Sequence, residues 1–189
     1  EAPGKGERFV DFCLQTDDLR GDTKKLRDAG VAINDPVPWS RRRPDGYELK
    51  WILSLATEPD RGVAPFLIED VTPREERIPR EMGHKNAVSG ITRVTVAVNE
   101  LAHIDKWYRA LLGADGQEIN DDSLAAEGLR YKAGPHVLEF LKPRVATSPL
   151  TDWLRTYGPS RYSAVLNSPK SSTITLNPAL THGANLRIE

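Results

Sequence analysis

Apolar and polar residues alternate at two places in the chain, and each place opens the same order of elements. The first is RFVDFCLQT (8–16), where alternation predicts a strand, and DDLRGDTKKLRDAG (17–30) follows with the spacing of an amphipathic helix. Leu19 and Leu26 share one face of this helix, either preceding aspartate can cap it, and Gly30 is placed to end it.

Three more predicted strands complete the first unit. VAINDPVPWSRRRPDGYELKWILSLA (31–56) contains Pro-Asp-Gly at 44–46, a strong turn signal, so the residues on either side are expected to form a hairpin. APFLIEDV (64–71) is predicted to be the closing strand. The order is therefore strand, helix, strand, strand, strand, a βαβββ module.

The same order returns later in the chain. SGITRVTVAVNEL (89–101) predicts a strand, LAHIDKWYRALLG (101–113) a helix, and LRYKAGPHVLEFLKP (129–143) a closing hairpin. Asn99 is the expected helix cap and Gly113 the expected end. Two copies are too few for a solenoid, so the repeat indicates a pair of modules and an α+β fold.

These patterns divide the chain into four segments. Residues 1–73 form the first predicted module, 74–87 a linker that is rich in charge and contains Pro79, and 88–143 the second module. Residues 144–189 predict a short helix and several strands. Those strands either pair with one another or complete a sheet whose other strands are absent from this chain.

Each closing strand carries one glutamate at a similar place. Glu69 stands four residues before Pro73, and Glu139 stands four residues before Pro143. Both faces of these strands are largely apolar, so both faces are expected to be covered. A carboxylate in such surroundings is costly unless a metal, a cation or a proton neutralises it.

Three stretches resemble a known family: RRRPDGYELKW (41–51), PFLIEDVTPR (65–74) and VTVAVNELAHIDKWYRALLGADG (94–116). They are similar to the glyoxalase-like domain proteins of the vicinal oxygen chelate superfamily, and the resemblance extends over residues 7–143. It implies paired βαβββ modules whose mixed sheet curls around a cavity. It also implies ligands from the first and last strands of each module.

The resemblance directs attention to a metal site. Glu69 and Glu139 occupy the last-strand positions, while Asp11 and Arg93 match the first-strand positions. Arginine cannot ligate a metal, so Asp11, Glu69 and Glu139 remain as ligands for a divalent zinc, iron, manganese or magnesium ion. The alternative is a site without metal, in which Arg93 neutralises a carboxylate inside the cup.

The resemblance also implies roles for individual residues. Glu139 is the candidate catalytic group that moves a proton. Arg93, Arg43 and Gln15 are the candidate substrate-binding residues, because an arginine can hold a carboxylate and Gln15 lies on the polar strand face. The implied function is a lyase, isomerase or dioxygenase acting on an oxygen-rich substrate. The alternatives are a binding or sequestering protein of the same fold, and a module that works only when assembled with another chain or copy.

Composition narrows the classes of protein, partner and compartment that fit this chain. Of 189 residues, 39% are hydrophobic and 28% are charged, as in globular proteins, and apolar runs are too short to span a bilayer. The formal charge of −1 argues against nucleic acid as a partner. A single cysteine, Cys13, suits a reducing compartment, so we expect a cytoplasmic protein, while the small-molecule substrate is what the resemblance implies. The strands after residue 160 are few for covering the apolar strand faces of two modules, so we expect homo-oligomerisation or an additional amino-terminal segment to cover the rest.

Overall fold

A computed structural model describes residues 8–78, 83–169 and 173–189. Residues 79–82 of the expected linker, the start of the first predicted module and residue 172 of a predicted strand lie outside the described residues. The chain divides into two compact units, Asp11–Met82 and Gly83–Glu189, and the second also includes residues 8–10. The mixed helices and strands confirm the α+β prediction.

The first unit contains a four-stranded sheet and two helices. Its elements are β1 (Cys13–Gln15), α1 (Leu19–Asp28), β2 (Val37–Arg42), β3 (Glu48–Ser54), β4 (Phe66–Asp70) and α2 (Arg74–Arg77). The strand order is β1-β4-β3-β2, with β1 parallel to β4 and the other pairs antiparallel. The hairpin predicted around Pro-Asp-Gly is therefore confirmed.

Helix α1 begins and ends where its sequence predicts. The Asp18 side chain accepts a hydrogen bond of 2.9 Å from the Gly21 N–H at the first turn. After the helix, Gly30 adopts a φ of 70°, a left-handed conformation that favours glycine. Leu19 and Leu26 are fully buried. Burial of this apolar face holds the helix on the sheet.

The second unit contains a seven-stranded sheet. Its elements are β5 (Gly90–Ala97), α3 (Ala102–Leu112), β6 (Gln117–Asp121), β7 (Ala126–Ala133), β8 (His136–Pro143), α4 (Pro149–Tyr157), β9 (Ser160–Asn167), β10 (Ile174–Thr175), a 3₁₀ helix (Pro178–Leu180) and β11 (Asn185–Ile188). The strand order is β10-β11-β9-β5-β8-β7-β6. Strand β6 was not specifically located from the sequence, and it supplies the second strand of the repeat.

The repeat is visible in the strand order of both units. The opening strand β5 lies parallel to the closing strand β8, as β1 lies parallel to β4. Beyond β5, strand β9 adds on in the antiparallel direction and β11 lies parallel to β9. The carboxyl-terminal strands thus pair with one another, as the first alternative expected, and through β9 they also extend the sheet of the second module.

The helix side of the second sheet is an aromatic core. Trp107 and Tyr108 of α3 are fully buried, and the Tyr108 ring lies 4.7 Å from the ring of Phe140 in β8. The helix ends at Gly113, as predicted, but it begins later than predicted. Its cap position is Leu101 and not Asn99, and no side chain caps it by a hydrogen bond.

Helix α4 covers a second, smaller apolar cluster. Leu150 of α4 packs with Leu141 of β8 and Ala97 of β5, all fully buried. The Ser148 side chain accepts a hydrogen bond of 3.2 Å from the Leu150 N–H and so caps the helix. None of the described helices is long and apolar enough to cross a membrane.

We predict that Gly128→Ala disrupts the β7–β8 hairpin. A Cβ atom at this position would lie 1.8 Å from the backbone oxygen of Phe140, so β8 would have to move. The expected loss of unfolding free energy is about 2–3 kcal/mol or more, measured by urea denaturation. Gly90→Ala is the matched control, because nothing lies within 4 Å of its added Cβ atom. Equal stability of the two variants would contradict the described hairpin.

Candidate functional site

A cavity of about 480 Å³ lies within the Gly83–Glu189 unit. Strands β5, β8, β9 and β11 contribute its walls, together with the loop after β6. Its polar lining side chains include Arg93, Thr95, Glu139, Ser163, Asn185 and Arg187. Of these residues, sequence reasoning identified Arg93 and Glu139.

Strand alternation directs Glu139 into this cavity. Its neighbour Phe140 contacts Tyr108 of α3, so Phe140 points to the helix side of the sheet. Because successive side chains of a strand point to opposite faces, Glu139 points away from α3. Thr95 is its partner in the parallel β5–β8 pairing and lines the same cavity.

The Glu139 carboxylate is buried and surrounded by donors. Arg130 donates to Oε1 from Nε at 2.9 Å and from Nη2 at 2.7 Å. Arg93 Nη1 lies 3.6 Å from the same oxygen. The Thr95 hydroxyl reaches Oε2 at 3.4 Å. Two guanidinium groups therefore neutralise one buried carboxylate, which is the alternative to a metal that the sequence left open.

Arg130 is the functional residue that sequence reasoning missed, although a signal was present. The β7–β8 hairpin turns at Gly134, and Ala133 stands opposite His136. Counting outward from that pair sets Arg130 opposite Glu139. The predicted hairpin thus contained the register that identifies the ion pair.

A second carboxylate contacts Arg93 at the more exposed end of the network. Glu189 Oε1 lies 3.8 Å from Arg93 Nη2, and it also accepts from Arg187 Nη2. Burial and the charge of Asp121 raise the pKa of Tyr162, another residue of the cavity wall. The Tyr162 phenol therefore keeps its proton in neutral solution and can donate a hydrogen bond.

Glu69 lies in a different environment from Glu139. Thr23 of α1 hydrogen-bonds to Ser54 of β3 at 3.2 Å, and Ser54 stands opposite Leu67. Leu67 and Glu69 therefore share the face that α1 covers. There, Glu69 Oε2 accepts a hydrogen bond of 2.8 Å from the Leu19 N–H, at the amino end of α1. The expected equivalence of Glu69 with Glu139 is wrong, because the two side chains lie on opposite faces of their sheets.

Asp70 is the carboxylate on the face of β4 away from α1. Its side chain is buried, and Arg77 binds both of its oxygens, Nε to Oδ1 at 2.5 Å and Nη2 to Oδ2 at 2.8 Å. This ion pair raises the pKa of Arg77. Asp70 was not chosen from the sequence because the similar spacing to proline favoured its neighbour.

The other candidate residues of the first unit are Asp11, Arg43 and Gln15, and of these Gln15 lines the same cavity as Glu69. Asp11 is exposed and precedes β1, whereas Arg93 lies within β5. Arg43 forms ion pairs with Asp45 and, at 2.9 Å, with Glu76. Gln15 is exposed and lines a separate cavity of about 370 Å³ within the Asp11–Met82 unit.

The residues around Glu139 do not fit a divalent metal ion. A metal there would share one carboxylate with Arg93 and Arg130, whose permanent positive charges repel a cation. Among residues 8–78, 83–169 and 173–189, no group of three or more His, Cys, Asp or Glu side chains is placed to hold a metal. Asp11 and Glu69 belong to the Asp11–Met82 unit and Glu139 to the other unit, so the ligand set of these three carboxylates stays a prediction.

Comparison with known proteins identifies a family and a fold. A family model described as "Glyoxalase-like domain" matches residues 2–112. No curated protein matches the chain. A hypothetical protein from Staphylococcus aureus is similar in structure, with a TM-score of 0.67 and 16% sequence identity. The alignment covers 96% of this chain and 65% of that protein, so this chain spans less than two thirds of its length.

A second solved structure is similar over a shorter part of the chain. It is methylmalonyl-CoA epimerase from Mycobacterium tuberculosis, with a TM-score of 0.48 and 15% identity. The alignment covers 58% of this chain and 92% of that protein. At these identities the similarity to the S. aureus protein shows the fold alone, so the chemistry has to be argued from the site.

We predict that Arg130→Ala destabilises the protein more than Arg93→Ala does. Arg130 makes the shorter contacts to the buried Glu139 carboxylate, so its removal leaves the less compensated charge. The expected cost of Arg130→Ala is on the order of 3 kcal/mol in urea denaturation. In the Glu139→Gln background the cost should shrink, because the charge to be neutralised is gone. Equal costs in both backgrounds would contradict the pairing.

We also predict that Glu69 acts as a structural partner of helix α1. Glu69→Ala removes the acceptor of the Leu19 N–H, so hydrogen exchange at the Leu19 amide should accelerate. The accompanying loss of stability is about 1–2 kcal/mol. Glu100→Ala, at an exposed position, is the control. An unchanged rate of hydrogen exchange at the Leu19 amide would contradict this role of Glu69.

Proposed function

This chain belongs to the glyoxalase-like domain family, and from that premise we propose that it is a small-molecule enzyme of the lyase or isomerase type. The proposed site is the cavity of the Gly83–Glu189 unit, and the substrate is an oxygen-rich small molecule. The observation that carries the proposal is the buried Glu139, held by Arg130 and Arg93 in the wall of this cavity. The cavity volume of about 480 Å³ is in the range of small-molecule sites.

The two oxygens of Glu139 differ in a way that supports proton transfer. Oε1 carries the contacts from Arg130 and Arg93, whereas the contact described for Oε2 is the Thr95 hydroxyl at 3.4 Å. Oε2 is therefore the oxygen proposed to accept a proton from a substrate carbon next to a carbonyl group. Arg93 would stabilise the negative charge that develops on the carbonyl oxygen.

The polar groups of the remaining cavity wall suit an oxygen-rich substrate. The hydroxyl groups of Ser163 and Tyr162 line it, and the Tyr162 phenol is protonated. Such groups can donate hydrogen bonds to carbonyl and hydroxyl oxygens. A dioxygenase reaction would need a redox metal or another oxygen-activating group, and the donors around Glu139 do not fit a metal, so we derive no such step.

A non-catalytic binding protein is the second candidate. The observation that favours it is the completeness of the Glu139 ion pairing, because two guanidinium groups already neutralise this buried carboxylate, as in a purely structural ion pair. In that case the same cavity would hold a small molecule and release it unchanged.

We predict that Glu139→Gln separates the two candidates. Wild-type protein and variant are incubated in deuterated water with a panel of small 2-oxo and 3-oxo acids, and NMR records deuterium entry next to the carbonyl group. The enzyme hypothesis expects Glu139→Gln to lower this rate about 10²–10⁴-fold, with binding retained. Glu100→Gln is the matched exposed control. Ligand binding without deuterium entry in the wild-type protein would favour the binding protein.

We further propose that the Asp11–Met82 unit associates with a second copy of the chain. Val37 and Trp39 of β2 are 42% and 52% exposed. They stand opposite Leu53 and Trp51 of β3, on the face away from α1. An apolar strand face of this kind is usually covered in a soluble protein. Burial of this face against a second copy of the chain would explain why it carries apolar side chains.

We predict a solution mass of twice 21.0 kDa, measured by light scattering. Trp39→Lys places a charge in the proposed contact and should shift the mass toward one chain. Leu180→Lys is the control, because Leu180 is 81% exposed but lies in the other unit. A wild-type mass of one chain would refute the association.

A further inference from the structure

Two arginines that line the cavity share one acceptor, which is a carboxylate other than that of Glu139. Arg93 extends from β5 and Arg187 from β11, and both lie in the cavity wall. Both contact Oε1 of Glu189, Arg93 through Nη2 at 3.8 Å and Arg187 through Nη2. The carboxylate of Glu189 thus occupies a position between two guanidinium groups.

The two ends of this charge network differ in exposure. The Glu139 side chain is 5% exposed, whereas that of Glu189 is 41% exposed. Ion pairs in contact with water contribute little to stability, so replacing Glu189 by another anion costs little. Replacing Glu139 would leave a buried charge without its partner. The Glu189 end is therefore the exchangeable end of the network.

Only the side chain of Glu189 has to move in such an exchange. Its backbone N–H donates to the Leu166 carbonyl at 2.9 Å, and its carbonyl accepts from the Ser168 N–H at 2.7 Å. These bonds hold the strand end independently of the carboxylate. Arg187 can also donate a further hydrogen bond, because its buried Nε has no hydrogen-bond partner among the described residues.

We propose that Glu189 holds the place of a carboxylate group of the ligand. On binding, the ligand carboxylate takes over the contacts to Arg93 and Arg187, and the Glu189 side chain turns into solvent. A carboxylate is the group expected, since the side chain that it displaces has the same charge and planar shape. This inference rests on the proposed function, and it narrows the substrate to a carboxylic acid with further oxygen atoms.

Arg93 connects this subsite with the proposed proton-transfer group. Its Nη2 faces Glu189 at 3.8 Å while its Nη1 lies 3.6 Å from Glu139 Oε1. One guanidinium group therefore contacts both carboxylates. A ligand carboxylate bound by Arg93 would bring the adjoining carbon atom toward Glu139. In a 2-hydroxy acid or a 3-oxo acid that carbon atom carries a hydrogen, so these acids suit the proposed proton transfer.

Titration with two matched probes tests the proposal. Lactate carries a carboxylate beside a hydroxyl group, and lactamide is its uncharged counterpart. Binding is followed by NMR, from backbone resonances of β5 and β11 and from arginine side-chain N–H signals. We expect lactate to bind more tightly than lactamide. We expect Glu189→Gln to tighten lactate binding about three- to tenfold, because the internal competitor loses its charge.

Two further variants test whether the change in lactate binding comes from this charge network. Arg187→Gln should weaken lactate binding and leave lactamide binding unchanged, since it removes one of the two cationic groups. Glu118→Gln, at an exposed position of β6, removes the same charge outside the network and should leave both affinities unchanged. Unchanged or weaker lactate binding by Glu189→Gln would overturn the proposal.

The outcomes also separate this proposal from the function on which it rests. Equal binding of lactate and lactamide in the cavity would preserve a small-molecule site but remove the carboxylate subsite. If neither these probes nor the oxo-acid panel perturbs any cavity resonance, the proposed function fails, and the subsite fails with it.

Discussion

The Gly83–Glu189 unit is built around one buried carboxylate that must be neutralised. An unpaired charge at the position of Glu139 would cost several kcal/mol, so neighbouring strands have to present positive groups to it. Arg130 on β7 and Arg93 on β5 do so from opposite sides of β8. A one-residue slip of β7 would turn Arg130 toward α3 and leave Glu139 less compensated. The ion pairs therefore help to specify the register of the strands that form the cavity.

Much of the architecture could be predicted from local patterns. The order of elements, the Pro-Asp-Gly hairpin, and the helix ends at Gly30 and Gly113 all follow from alternation, helical spacing and glycine conformation. These signals are local in sequence, and that is why they can be read without a structure. The start of α3 shows the limit, because Asn99 has the chemistry of a cap but lies before the position where the helix begins.

The site could be predicted less well, because faces and long-range pairings decide it. Glu69 and Glu139 have the same spacing to a proline, but that spacing does not show which face the side chain occupies. One position along a strand separates Glu69, which binds the start of α1, from Asp70 on the opposite face. Similarly, no local pattern shows that β9 pairs with β5, the pairing that brings Arg187 into the same cavity as Arg93.

The way in which Glu139 is neutralised has consequences for what the cavity can recognise. A metal ion would neutralise the carboxylate and leave its other coordination positions open to neutral or anionic oxygens. Arginines neutralise the carboxylate through directed N–H groups, and these groups can also bind a second anion. Arg93 contacts a buried carboxylate and an exposed one at the same time, so its charge is shared between a permanent partner and an exchangeable partner. An anion that displaces the exposed partner meets a guanidinium group already positioned by the buried one. The cost of orienting Arg93 is then met largely by folding, which leaves more of the interaction energy for ligand binding.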